Sequence, residues 1–215
     1  MFRLPARAAR LTILLPILLA SLLLLAACGE EKPVEVPDVF RVKFETTEGD
    51  FLVEAHKDWA PRGVDRFYDL VNMRYFDKGR FFRVVPGFIA QFGVHWDYTV
   101  HARWRQIFIT DDPPVMENKR GTLSFAQSGP NTRTTEIFIN LKDNPELDEQ
   151  GFVPFAEVAE GMDVVDNLYS GYGELKPVGK YIDPGRVEEN GNAYLEERFP
   201  ELDWIKSATF VEPGQ

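Results

Sequence analysis

Short apolar segments of strand-like composition, separated by turn residues, most constrain what this chain can fold into. Phe40, Val42 and Phe44 alternate with charged residues, which is typical of a strand with one buried face. Residues 47–50 supply turn chemistry before a second alternating segment at 51–55, so we predict a β-hairpin. Further strands are expected at 80–85, 88–92, 121–126, 136–140, 153–158 and 205–211. So many short strands favour a closed sheet, because closure removes exposed strand edges.

Two amphipathic helices interrupt these strands. Pro61 suits a first helical position, and the apolar spacing that follows predicts a helix ending near Asn72. Val164, Val165 and Leu168 mark a second helix. Residues 181–200 are expected to be irregular and acidic, with a short helix near 193–198. The predicted fold class is mainly β: a closed antiparallel barrel of about eight strands capped by two helices.

The first 38 of the 215 residues predict export and a lipid anchor. Three arginines precede an apolar run from Leu11 to Leu25, and Ala26-Ala27-Cys28 follows it. Small residues before a cysteine at the end of such a run resemble a bacterial lipobox. We therefore predict a signal peptide at 1–27, a lipidated Cys28 that begins a tether at 28–38, and a globular domain at 39–215. The expected location is the cell envelope, facing the periplasm or extracytoplasmic space.

Two other interpretations of the N-terminus stay open at this point. The apolar run could be a simple membrane anchor, or the cysteine could occur there by chance. The run of about 15 residues is short for a span, which needs about 20. This length favours the lipoprotein interpretation, as does the position of the chain's only cysteine at the expected cleavage point.

Composition excludes some classes of protein. The net charge is −10, and removal of the predicted signal would remove three arginines and no acid, making the rest still more negative. Such acidity argues against nucleic-acid binding, which needs a basic surface. A single cysteine permits no internal disulfide, so stability must come from the core.

Two segments carry a resemblance to a known family. Residues 81–93 read FFRVVPGFIAQFG, and residues 121–132 read GTLSFAQSGPNT. With Ala60-Pro61, Tyr75-Phe76 and the segment 161–166, they resemble the cyclophilins over nearly all of 39–211. The resemblance implies a barrel of about eight strands with two helices. It also implies peptidyl-prolyl cis-trans isomerase activity, with no cofactor and no metal.

The resemblance also implies roles for particular residues. Arg83 matches the catalytic arginine, and Gln91 matches a glutamine that orients it. The residues that match the lining of the proline pocket are Phe88, Ile89, Phe138 and Leu147. Ala126 and Gln127 match the stretch that contacts the peptide backbone. Without the resemblance, Arg83 would be read as an arginine on a strand face, and the apolar residues as ordinary core.

Several positions depart from the family pattern. Glu136 stands where many cyclophilins have glutamine, and Glu146 where they have tryptophan. Gly151 or Phe152 falls at the place of the pocket histidine. We hypothesise that Glu136 accepts charge-assisted hydrogen bonds from Arg83 and weakens it as a donor, so that Glu136→Gln would raise kcat/KM modestly.

The function expected from the sequence is rotation about X-Pro bonds, in a monomer that assists the folding of exported proteins. Its partners would be proline-containing polypeptides and, through Cys28, the lipid bilayer. A non-catalytic binder of proline segments with the same fold is the main alternative, because the tryptophan and histidine are missing. A structural envelope lipoprotein is another. His95, Asp97 and His101 match no strong pattern of metal ligands, and no nucleophile motif supports a hydrolase.

Overall fold

The computed structural model describes residues 35–176 and 181–211. The predicted signal peptide and Cys28 lie outside the described residues, as does most of the tether. The strands of the described part are β1 (Val39–Thr46), β2 (Asp50–His56), β3 (Arg83–Val85), β4 (Ile89–Phe92), β5 (Thr122–Phe125), β6 (Ile137–Asn140), β7 (Pro154–Glu160) and β8 (Ile205–Phe210). The helices are α1 (Pro61–Asn72), α2 (Tyr98–Trp104), α3 (Pro145–Glu149), α4 (Met162–Asn167), α5 (Pro184–Asn190) and α6 (Asn192–Arg198). None of these helices combines the length and the apolar composition needed to cross a bilayer.

All eight strands belong to one antiparallel sheet, ordered β3-β4-β6-β5-β7-β2-β1-β8. The order leaves β3 and β8 as edge strands of an open half-barrel, so the prediction of a closed barrel is wrong. β3 has only three residues, which is too short to form a ladder along β8. The two edges meet instead through an isolated bridge between Arg80 and Trp204 and a 3.0 Å bond from Phe81 N to Asp203 O.

The main core lies between the inner face of the sheet and helices α1 and α4. Phe44 stacks on Phe51 at 5.0 Å, and Phe67 of α1 packs on Phe155 of β7 at 5.2 Å between ring centroids. Helix α1 has Pro61 in its first turn, as predicted. The buried carboxylate of Asp112 accepts hydrogen bonds from the backbone N–H groups of Arg62 and Gly63, both at 3.0 Å. An acid far away in sequence therefore pairs with N–H groups that have no partner within the helix.

A second, smaller core joins the segment after α4 to the sheet. Val187 of α5 and Leu195 of α6 belong to this core. They pack with Phe82 and Val94, which flank β3 and β4, and with Ile182, Phe199 and Leu202. The expectation that 181–200 is mostly irregular is therefore wrong, although the short helix near 193–198 is confirmed as α6. This segment forms a wall beside Arg83.

Candidate active site

A cavity of about 480 Å³ opens on the sheet beside β3, β4 and β6. It is lined by every residue of the globular domain that the sequence predicted for the site: Arg83, Phe88, Ile89, Gln91, Ala126, Gln127, Glu136, Phe138, Leu147 and Phe152. Cys28 lies outside the described residues. The cavity lining also includes residues that the sequence did not predict, among them Leu175, Arg105 and Glu188. Glu174, which the sequence did not predict either, lies outside the lining and contacts Arg83.

Strand register explains how residues distant in sequence meet here. Arg83 of β3 pairs with Gln91 of β4, and Gln91 pairs with Phe138 of β6. These three therefore form a row across neighbouring strands on one face of the sheet. The alternate residues of β4, Ala90 and Phe92, point the other way into the main core.

The apolar part of the cavity suits a small ring. Ile89, Phe138 and Leu147 form a buried cluster, against which Phe88, Ala126 and Phe152 pack. Phe152 meets Phe138 edge to face, with ring centroids 5.4 Å apart. Of the two residues expected at the place of the family's histidine, it is thus Phe152 that lines the cavity, and it makes this wall more apolar.

Glu146, at the position where many cyclophilins have tryptophan, does not line the cavity. Glu146 is exposed on α3 and lies 3.8 Å from Lys142 in an i,i+4 ion pair. Its neighbour Leu147 faces the opposite side and is buried.

Buried asparagines hold the segments that carry the apolar residues. Asn144 Nδ2 donates to Phe88 O at 3.1 Å, and Asn118 Nδ2 donates to Phe152 O at 2.8 Å. Asn140 links the two contacts, because its Nδ2 donates to Asn118 Oδ1 at 3.1 Å and its Oδ1 accepts from Asn144 Nδ2 at 2.8 Å. Sequence reasoning missed Asn144 and Asn118, because each acts on a backbone group more than thirty residues away.

The guanidinium of Arg83 is held from two sides. Nη1 donates to Gln91 Oε1 at 3.2 Å, Nη2 donates to Glu174 Oε2 at 2.7 Å, and Nε donates to Glu174 Oε1. The ring of Phe88 lies 5.6 Å from the guanidinium carbon. Burial opposes ionisation of Glu174, yet hydrogen bonds from Arg83 and the Leu175 N–H outweigh it and lower the pKa of this carboxyl below its usual value.

The hydrogen bonds that connect Glu136 to Arg83 run through Gln91. Gln91 Nε2 donates to Glu136 Oε2 at 2.8 Å, while the other end of the same amide faces Arg83. The hypothesis of direct hydrogen bonds from Arg83 to Glu136 is therefore wrong, since the amide lies between them. Burial raises the pKa of the Glu136 carboxyl above its usual value, and the hydrogen bond from Gln91 opposes this only in part.

The opposite rim combines a neutral histidine with an ion pair. Burial, and then the nearby charge of Arg105, lower the pKa of His101 to about 4. Arg105 Nη2 lies 3.1 Å from Glu188 Oε2, which joins the end of α2 to α5 across the rim. His95 accepts a 2.9 Å hydrogen bond from Asp97 N, which is a local contact within the loop.

One group of potential metal ligands occurs among the described residues, away from the cavity. Ligand atoms of Glu54 and His56 on β2 and Glu157 on β7 lie within 4.8 Å of one another. Arg41 Nε already donates to Glu54 Oε2 at 2.6 Å, and the His56 ring stacks on Trp59. The group is thus a surface charge cluster with its own partners, and the cavity chemistry does not involve it.

Comparison with known proteins assigns the family. The family model described as "Cyclophilin type peptidyl-prolyl cis-trans isomerase/CLD" matches residues 41–184. This chain belongs to the cyclophilin-type peptidyl-prolyl cis-trans isomerases. The Escherichia coli peptidyl-prolyl cis-trans isomerase B is 32% identical over 59% of this chain and 82% of its own length. The Arabidopsis thaliana isomerase CYP18-2 is 34% identical over 60% of this chain and 80% of its own.

Solved cyclophilin structures support the fold independently. A cyclophilin-type isomerase of Cryptosporidium parvum aligns with a TM-score of 0.58 and 21% identity, over 81% of this chain and 98% of its own. The same protein solved in the presence of the dipeptide Ala-Pro aligns with a TM-score of 0.56. All cavity residues from β3 to α3 lie within the segment that the cyclophilin family model matches, whereas α6 and β8 lie beyond it.

Proposed function

We propose that Arg83 is the catalytic residue of this prolyl isomerase and that the neighbouring apolar cluster holds the proline ring. The observation that carries the proposal is the position of the Arg83 guanidinium, at the edge of a cavity whose floor is Ile89, Phe138 and Leu147. A ring seated on this floor would bring its amide nitrogen toward the guanidinium. Gln127, whose side-chain amide lies 3.3 Å from Gly151 O, would border the peptide backbone.

The chemistry needs neither a nucleophile nor a metal. Rotation about an X-Pro bond crosses a barrier of about 18–20 kcal/mol, because the amide is conjugated. A donor directed at the proline nitrogen favours a pyramidal nitrogen and a single-bond-like C–N. Donors held in place before the reaction are typically the largest catalytic contribution, and Arg83 is held by Gln91 and Glu174.

The proposed substrates are proline-containing segments of exported proteins. The presence of Ala-Pro with the related C. parvum protein supports a proline peptide as the ligand class. The basic and apolar N-terminus ending at Cys28 supports export and lipid anchoring in the cell envelope. The acidic net charge of −10 supports a protein rather than a nucleic acid as partner. We propose that the protein acts as a monomer and needs no cofactor.

A direct assay separates catalysis from simple binding. The full chain in detergent micelles is added to a short X-Pro peptide, and cis–trans exchange is followed by NMR. Catalysis predicts exchange that quickens in proportion to protein concentration. Peptide binding, seen as shifted resonances, with unchanged exchange would instead establish the non-catalytic binder of the same fold. If the peptide shows no binding and no faster exchange, a structural envelope lipoprotein would be favoured.

A further inference from the structure

The segment between α4 and α5 places a carboxylate on the proposed catalytic arginine. Glu174 accepts two hydrogen bonds from Arg83, one at Nε and one at Nη2, and the second measures 2.7 Å. This is the side-by-side geometry that makes arginine–carboxylate pairs both strong and directional. The residues are 91 positions apart, so the pair exists only because this segment folds back on the sheet.

The carboxylate is itself held in place by its surroundings. Leu175 N donates to Glu174 Oε1 at 2.9 Å, and Leu175 packs against the second core with Tyr172. Lys176 N donates to Ile182 O at 3.0 Å, which ties the segment to the start of the α5 region. Glu174 therefore reaches Arg83 from a backbone with its own support.

Counting donors shows what the pair leaves for a substrate. A guanidinium has five N–H groups. Within the described part of the chain, Glu174 takes two of them and Gln91 takes one, so one N–H remains on each terminal nitrogen. Because Glu174 and Gln91 bind different nitrogens, the guanidinium plane cannot rotate freely. The two donors that remain for a substrate belong to Nη1 and Nη2.

We propose that Glu174 is a positioning residue of the isomerase site, and that it acts by fixing the guanidinium plane of Arg83. This rests on the proposed function of Arg83. An ion pair that is partly exposed to solvent contributes little to stability. The side chains of Arg83 and Glu174 are 22% and 40% exposed, so a stability role for the pair is small. The effect of the pair is to orient the Arg83 guanidinium, and small misplacements of a catalytic group have large kinetic effects.

The test compares three variants of the full chain in the NMR exchange assay. Glu174→Gln keeps the size of the side chain but loses the charge, and Glu174→Asp keeps the charge with a shorter reach. Glu196→Gln is the matched control, because Glu196 of α6 also pairs with an arginine, Arg80 at 3.1 Å, but does not line the cavity. We expect Glu174→Gln to lower kcat on the order of tenfold with a smaller change in KM. Glu174→Asp should recover part of kcat, and Glu196→Gln should match the parent.

A spectroscopic readout reports the pair without activity. The Nε–H resonance of Arg83, assigned by its loss in Arg83→Lys, should exchange slowly with water in the parent and rapidly in Glu174→Gln. Unchanged kcat in Glu174→Gln would overturn the proposal, and raised kcat would show that the carboxylate competes with substrate instead. If the parent shows the slow Nε–H but no catalysis, the proposed function fails, and the positioning role fails with it.

Discussion

Three carboxylates in or beside the cavity each hold a different partner. Glu174 holds Arg83, Glu188 holds Arg105 at the opposite rim, and Glu136 holds only the amide of Gln91. Since Glu136 accepts from Gln91 Nε2, the carbonyl oxygen of Gln91 is directed to Arg83. The arginine is thus held by two acceptors on different elements, and just one of them is charged.

Glu136 gives a prediction on the pH dependence of stability. Burial raises the pKa of its carboxyl in the folded protein, so folding favours the protonated form. This preference contributes to the free energy of unfolding. The contribution is fully present below the pKa of the unfolded chain, about 4.5, and is lost as pH rises through the pKa of the folded protein. Glu136→Gln stays neutral, so its Tm should exceed that of the parent at pH 8, by about 2–4 °C for each kcal/mol that the buried charge costs.

The measurement is a series of thermal melts from pH 4.5 to pH 8. The Tm difference should shrink toward pH 4.5. Glu146→Gln serves as control, because Glu146 is an exposed carboxylate ten residues further along the chain, and it should show no such trend. A Tm difference that stays constant or shrinks with rising pH would contradict the account of Glu136.

The resemblance to the cyclophilins, carried by short sequence motifs, identified most residues of the site. Arg83, Phe88, Ile89 and Gln91 occur in one segment of nine residues, and the structure brings them together with Phe138 and Leu147. Glu174 has no local signal, because its partner is 91 residues away and an acidic residue beside Leu175 fits any exposed turn. Contacts of this kind depend on how a segment returns to the sheet.

The same contrast holds for secondary-structure elements. Alternation predicted β1 and β2, and apolar spacing with Pro61 predicted α1 to its last residue. Helix α2 was missed because only His101 of its seven residues is buried, so it has no apolar stripe. Asp97 accepts a hydrogen bond from Thr99 N at 2.7 Å and was a usable capping signal for this helix.

The small core formed with α5 and α6 can be tested by removing one buried side chain. Leu195 is fully buried against Phe199 and Val187. Leu195→Ala should destabilise the protein by about 2–5 kcal/mol, because it leaves a cavity in a packed core. Glu197→Ala, at an exposed position of the same helix, is the control.

Hydrogen exchange measures where the loss falls. Protection in α5 and α6 should drop most in Leu195→Ala, and β1 and β2 should keep more of theirs, since they belong to the main core. Isomerase activity should fall too, because Leu175 beside Glu174 packs in the same cluster as Leu195. Uniform loss of protection across both cores would contradict a separate small core.

For the whole molecule, the proposed anchor and the catalytic fold are separate parts of the chain. The family match begins at residue 41, and the tether is predicted to end at 38. Val36 packs against the main core, so the described chain joins the sheet only shortly before β1. Lipidation at Cys28 would thus set where the isomerase acts without changing its cavity.

Cys28→Ser tests that separation. In a bacterial host, the variant should leave the membrane fraction while its isomerase activity per molecule and its Tm stay equal to those of the parent. The reason is that the lipid would be attached upstream of every described residue. Fractionation by centrifugation followed by the exchange assay measures both. A variant that still sediments with membranes would contradict the lipoprotein proposal.

The most direct test of the account is the effect of Arg83→Ala on kcat/KM for one X-Pro peptide. Removal of a single preorganised donor typically costs on the order of 10²-fold or more. We expect a loss of that size, with peptide affinity falling less because the apolar cluster remains. Arg80→Ala, three residues earlier and paired with Glu196 away from the cavity, should retain the kcat/KM of the parent. Equal kcat/KM in Arg83→Ala and the parent would contradict the claim that this arginine performs the isomerisation.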